Sequence, residues 1–249
     1  MKMHEINSDK ESVVMLLHPM LATSMMMHML LVSRMSDQHR YIIPDFSGHG
    51  DAVEETYISA YEEARALHDY LIKNDVHDIQ MAYGASMGAV VLMELLRYSD
   101  ITIHQLFFEG ASMFEHAGCL NAIIKRMMLL KRHKARAHPE RVAPKLATLY
   151  GEEAKGIMAK QMLSISKESL KNIVTDCSHV HLANLTLEQQ KNTVFAYGEK
   201  DANRKKATQI CASRYPHAKL KIWPNEGHCT YVTSSPDEYA QILENFISK

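Results

Sequence analysis

The sequence predicts an α/β protein: a mostly parallel, open sheet flanked by helices. Three observations lead there. Short apolar runs alternate with longer amphipathic ones along most of the 249 residues, the pattern of strands joined by helical crossovers. One stretch, from about 111 to 190, carries helical patterns and no strand. Hydrophobic residues make up 46% of the chain, enough to cover both faces of such a sheet within a single domain spanning 1–249.

Taken from the N-terminus, Val13–Leu17 (VVMLL) reads as a buried strand. Met25–Arg34 forms a helix, and Tyr41–Pro44 a short strand closed by the turn-rich PDFSGHG. In Ser59–Asn74, Tyr61, Ala64, Leu67, Leu71 and Ile72 share one helical face. Ile79–Tyr83 is a strand, Ser86–Tyr98 an apolar helix and His104–Glu109 another strand. After the helical stretch come a strand at Asn192–Tyr197, a helix at Ala202–Arg214 and a strand at Lys219–Trp223. A terminal helix over Pro236–Ser248 has Pro236 in its first turn. Within the 111–190 insertion the clearest helices are Met127–Ala137 and Gly151–Leu170. The insertion is too long for one crossover, so it is expected to form a helical lid over the strand ends.

Bulk properties narrow the partners. Charged residues are 23% of the chain and the formal net charge is −1, so neither nucleic acid nor a membrane is expected as a partner. Aromatics are only 7%, too few to suggest platforms for stacking bases. The N-terminus lacks the pattern of a signal peptide, and no run approaches the roughly 20 apolar residues of a membrane span. A cytoplasmic protein with a small-molecule substrate follows, as a monomer or homodimer. Cys119, Cys177, Cys211 and Cys229 are scattered and read as free thiols. The basic segment Lys131–Lys145 reads as a solvated helix face in preference to a site for an acidic partner.

The sharpest motif is Gly84-Ala85-Ser86-Met87-Gly88, a G-x-S-x-G between a predicted strand and a predicted helix. A turn that tight strains the serine backbone and admits only small residues two positions either side. It exposes the hydroxyl at a helix start, where developing negative charge is favoured. Serine needs a base. Among 15 histidines, His228 follows the last predicted strand, where a loop reaches back over the sheet edge. Asp201, after the strand NTVFAY, fits as the acid that orients it. Glu109, ending HQLFFE, is the main competitor, and Asp176 a weaker one.

The segments GASMG, GEKDAN and NEGHC resemble the nucleophile, acid and histidine segments of the α/β-hydrolase superfamily. PDFSGHG resembles that family's D-x-x-G-H-G loop, and LLHPM its His-Gly oxyanion loop, with His18 in the histidine's place and Pro19 where Gly is usual. The similarity runs from about Val13 to the C-terminus, the lid excepted. It implies a triad of Ser86, Asp201 and His228 and an oxyanion hole made by the N–H groups of Met20 and Met87. It implies a mechanism that needs no metal and no organic cofactor. His18 and Leu21 are candidates for the substrate pocket. The family's first two antiparallel strands read as missing or shrunken, because only a dozen residues precede Val13. The implied activity is hydrolysis of an ester or thioester of a small, largely apolar acyl group. The same triad also serves carbon–carbon bond hydrolases and lyases, and some members of the fold bind ligands without turnover.

Overall fold

A computed structural model describes residues 1–248. The chain begins with strands β1 (Lys2–Ile6) and β2 (Ser12–Leu17), helix α1 (Ser24–Leu30) and strand β3 (His39–Asp45). Helix α2 (Ala60–Lys73), strand β4 (Asp78–Ala85), helix α3 (Met87–Leu95) and strand β5 (Thr102–Glu109) follow. Four helices are inserted next: α4 (Cys119–Ala137), α5 (Val142–Ser164), α6 (Lys167–Asp176) and α7 (Leu187–Lys191). The chain returns to the sheet with β6 (Thr193–Gly198), α8 (Arg204–Arg214) and β7 (Lys219–Trp223), and ends in α9 (Tyr231–Ser234) and α10 (Pro236–Ile247).

The seven strands form one sheet in the order β1-β3-β2-β4-β5-β6-β7. Every neighbouring pair is parallel except β1 with β3. The central strands are buried on both faces, which is why VVMLL reads as a continuous apolar run with no alternation. Both α2 and α10 start on cues visible in the sequence. The Ser59 side chain accepts the Glu62 N–H at the head of α2, and Pro236 occupies the first turn of α10.

Three elements differ from the sequence expectation. The leading antiparallel strands are reduced to one, and that one is present: β1 pairs with β3 from Lys2↔Asp45 to Ile6↔Tyr41. Its sequence KMHEI is half-exposed, so only Met3 and Ile6 give an apolar signal against the core. Helix α4 starts eight residues before the expected Met127. The expected helix Gly151–Leu170 is divided: Gly151 (φ 80°, ψ 170°) kinks α5, and the chain breaks at Ile165 before α6 restarts. The restart is capped by Ser166, whose Oγ accepts the Ser169 N–H at 2.9 Å.

The inserted helices are fastened by polar ties to the segment between β3 and α2 and to the head of α2. Gln161 of α5 donates to the Gly48 carbonyl and accepts the Gly50 N–H at 3.2 Å. Ser169 of α6 accepts the Tyr57 N–H, and Asn172 donates to the Tyr57 carbonyl. Asp176 accepts both the Tyr57 hydroxyl (3.0 Å) and the Ala60 N–H (2.6 Å) at the start of α2. That work occupies Asp176, which is thereby not the partner of His228.

Candidate active site

Ser86 stands between β4 and α3 with φ 48° and ψ −106°, a left-handed conformation that a residue with a side chain adopts only under strain. Its N–H donates to the Glu109 carbonyl at 2.8 Å, and its carbonyl accepts the Ala89 and Val90 N–H groups. A serine at a helix start ordinarily turns its hydroxyl back onto the first turn. Here the side chain makes no such bond and reaches His228 Nε2 at 2.8 Å instead. The flanking glycines are steric necessities. A Cβ on Gly84 would sit 2.8 Å from Ala89 Cα, and one on Gly88 would sit 2.2 Å from the Leu17 carbonyl oxygen.

His228 Nδ1 lies 2.8 Å from Asp201 Oδ2. A carboxylate only accepts, so Nδ1 carries the proton, leaving Nε2 free to take one from Ser86. The Asp201 side chain is 1% exposed and that of His228 38%, so the carboxylate is sealed while the imidazole faces the cavity. The other Asp201 oxygen accepts the Asn203 N–H at 2.8 Å. Lys200 N donates to the Glu226 carbonyl and Glu199 N to the Trp223 carbonyl, which clamps the acid loop to the histidine loop. Gly198 permits this approach, since a Cβ there would lie 2.2 Å from the Gly227 carbonyl oxygen.

Burial disfavours the His228 imidazolium, but its neighbours outweigh that and hold its pKa well above 6.5. The hydrogen bond from Nδ1 to the Asp201 carboxylate is among the interactions that raise it. Glu109 does not compete for His228. Its Oε2 accepts Trp223 Nε1 at 2.9 Å and the Tyr239 hydroxyl at 2.7 Å. Its Oε1 is buried without a partner among the described residues, and desolvation pushes its carboxyl up to about 7.

Ser86 and His228 open onto a cavity of about 180 Å³ that Met20 and Met87 also line. Its walls come from the inserted helices, with Leu120, Ile124 and Met128 on α4, Ile173 and Val174 on α6, and Cys177 capping the end of α6. Two hydroxyls in the wall are already used: Ser112 donates to the Cys177 carbonyl and Ser178 to the Val174 carbonyl. Burial pushes the Cys177 thiol up to about 12, so it is no rival nucleophile. Met87 is the first residue of α3, where an N–H has no partner within the helix. Met20 precedes Leu21, which has φ 72°, in a turn closed by Ala22 N on the Pro19 carbonyl at 3.1 Å.

His18 and Leu21 do not line this cavity. His18 is fully buried, with Nδ1 2.8 Å from the Pro19 carbonyl oxygen and Nε2 accepting the Phe46 N–H at 3.2 Å. It braces the loop behind the site, kept neutral by burial. Leu21 is turned into the core. Sequence reasoning overlooked Asn203 and Gly110. Gly110 has φ 60°, and a Cβ on it would meet Cys229 Sγ at 2.8 Å and His228 Cε1 at 3.0 Å. The D-x-N spacing of Asp201 and Asn203 carried a usable signal, because Asx side chains accept from the N–H two residues on. Ligand atoms of His4, Asp45 and Asp51 lie within 4.8 Å of one another. None lines the cavity, and the Asp45 oxygens already accept from Ser24 N, Asp51 N and His4.

A family model described as "Alpha/beta hydrolase family" matches residues 14–242. No curated protein matches the chain. Among solved structures, a thermophilic esterase from Thermogutta terrifontis superposes with a TM-score of 0.74 at 16% identity, covering 99% of this chain and 92% of that one. The esterase EaEST from Exiguobacterium antarcticum gives 0.74 at 13% identity, covering 99% and 95%. A hydrolase from Oleispira antarctica gives 0.75 at 15% identity, covering 99% and 94%. At such identities the likeness is one of fold.

Proposed function

The chain belongs to the alpha/beta hydrolase family, and on that premise we propose that it is a carboxylesterase-like serine hydrolase acting on esters or thioesters of a small apolar acyl group. The observation that carries this reading is the hydrogen-bonded row Ser86–His228–Asp201 facing an apolar cavity. His228 Nε2 takes the Ser86 proton as Oγ attacks the acyl carbonyl carbon. The negative charge moves to the carbonyl oxygen, which the N–H groups of Met20 and Met87 receive at the head of α3. Loss of one such donor costs about 3–4 kcal/mol of transition-state stabilisation. The tetrahedral adduct collapses, His228 protonates the leaving alcohol or thiol, and an acyl-serine remains. Water then enters, gives its proton to His228 and releases the acid.

The inserted helices act as a lid, since α4 and α6 supply the cavity wall. An engineered cavity of about 150 Å³ holds benzene, so a cavity of about 180 Å³ suits acyl groups of about four to six carbons. Activated p-nitrophenyl esters of increasing chain length test both claims. Turnover should peak near butyrate to hexanoate, and Ser86→Ala should lower kcat by about 10⁴-fold or more. A folded protein that turns over none of these esters would overturn the reading.

A further inference from the structure

Helix α4 has no buried side chain along its 19 residues. One face packs on α5 and α6, where Arg132 donates to the Ile165 carbonyl and Arg136 to the Leu163 carbonyl. Leu120, Ile124 and Met128 face the cavity. The neighbouring face is turned outward and is apolar: Ile123 is 62% exposed, Met127 44% and Leu130 51%. These three recur at helical spacing and form a continuous stripe. Arg126, Lys131 and Lys134 share a shallow groove with them. No carboxylate among the described residues pairs with these three cations. The helix holds six Lys and Arg residues and no Asp or Glu, in a chain whose net charge is −1.

We propose that this face of α4 docks on an anionic lipid surface. An apolar stripe edged by cations is the arrangement that buries side chains at a headgroup boundary while its charges meet lipid phosphates. Charge complementarity selects this occupant. A second copy placed across a two-fold axis would set the same cations against each other. A soluble polyanion would satisfy the cations and leave the stripe wet. Leu120 belongs both to the exposed surface and to the cavity wall, so docking brings the cavity rim to the lipid.

The test is co-sedimentation of the full chain with phosphatidylcholine vesicles, with and without phosphatidylglycerol. The protein should sediment with the anionic vesicles and not the neutral ones. The triple variant Arg126→Gln/Lys131→Gln/Lys134→Gln should weaken partitioning on the order of 100-fold, and Ile123→Ser/Met127→Ser/Leu130→Ser should abolish it. None of these six residues lines the cavity, so both variants should keep the wild-type melting temperature and rate on a water-soluble ester. Ser86→Ala should bind vesicles like the wild type, which separates this proposal from the catalytic one. No binding to anionic vesicles, binding indifferent to either triple variant, or a concentration-dependent dimer abolished by the apolar variant would each overturn it.

Discussion

Ser86 holds a backbone conformation that its own side chain opposes, and the two glycines beside it make that conformation reachable. Gly88→Ala places a methyl against the Leu17 carbonyl, where only backbone movement relieves the clash. It should lower unfolding free energy by about 3 kcal/mol, read as a shift in the urea midpoint, with activity lost. The role of base proposed for His228 requires a neutral imidazole. A pKa held above 6.5 therefore predicts that kcat/KM falls as pH drops, with a midpoint above that value. Asp201→Asn should move the midpoint down and reduce kcat by about 10⁴-fold. Glu109 behaves differently. Its pKa is raised from 4.5 to about 7 in the folded state, so its contribution to stability is fully present below 4.5 and is lost as pH rises through about 7. Glu109→Gln removes that titration, so in denaturant titrations the variant's midpoint should stay level between pH 4.5 and 8, where the wild type loses stability. Ser86, Asp201 and His228, the proposed triad, were legible in the sequence because each sits in a segment with a steric or positional signature. Gly110 was not, because its role arises only where loops distant in sequence meet, whereas the D-x-N spacing of Asp201 and Asn203 was a local signal left unread. His18 was misread because its position just after β2 was visible but its bond to Phe46 was not.

Among the elements, those with buried faces read most clearly. Strands β2, β4, β5 and β6 are apolar on both sides, and their runs are hard to confuse with loops. Strand β1 escaped notice because an edge strand shows half its residues to water. The division of α5 from α6 was also hidden, since the apolar spacing carries on past Ile165 while the backbone does not. The ties from the inserted helices to the segment between β3 and α2 are invisible to periodicity, because they are made by polar side chains acting singly. Gln161 is the clearest. It is buried and serves both the Gly48 carbonyl and the Gly50 N–H. Gln161→Ala leaves those groups unpaired and should destabilise the protein by about 2 kcal/mol, with faster amide exchange concentrated in the 46–52 loop.

For the molecule as a whole, the site is a consequence of strand direction. Met20 follows β2, Ser86 follows β4, Asp201 follows β6 and His228 follows β7. These four strands run parallel, so their exit loops gather at one edge of the sheet, where such folds bind ligands. That is why strand order along the chain sufficed to nominate the triad without any contact being known. Net charge speaks only for the whole chain. A total of −1 hides a helix with six cations and no acid, because summation discards position. The central claim is that Ser86 is an activated nucleophile, and reaction with a fluorophosphonate, followed by intact-mass analysis and peptide mapping, tests it most directly. One adduct per chain at Ser86, absent in Ser86→Ala and His228→Ala, is the predicted result. A folded protein that stays unlabelled, or that is labelled at another residue, would contradict the account.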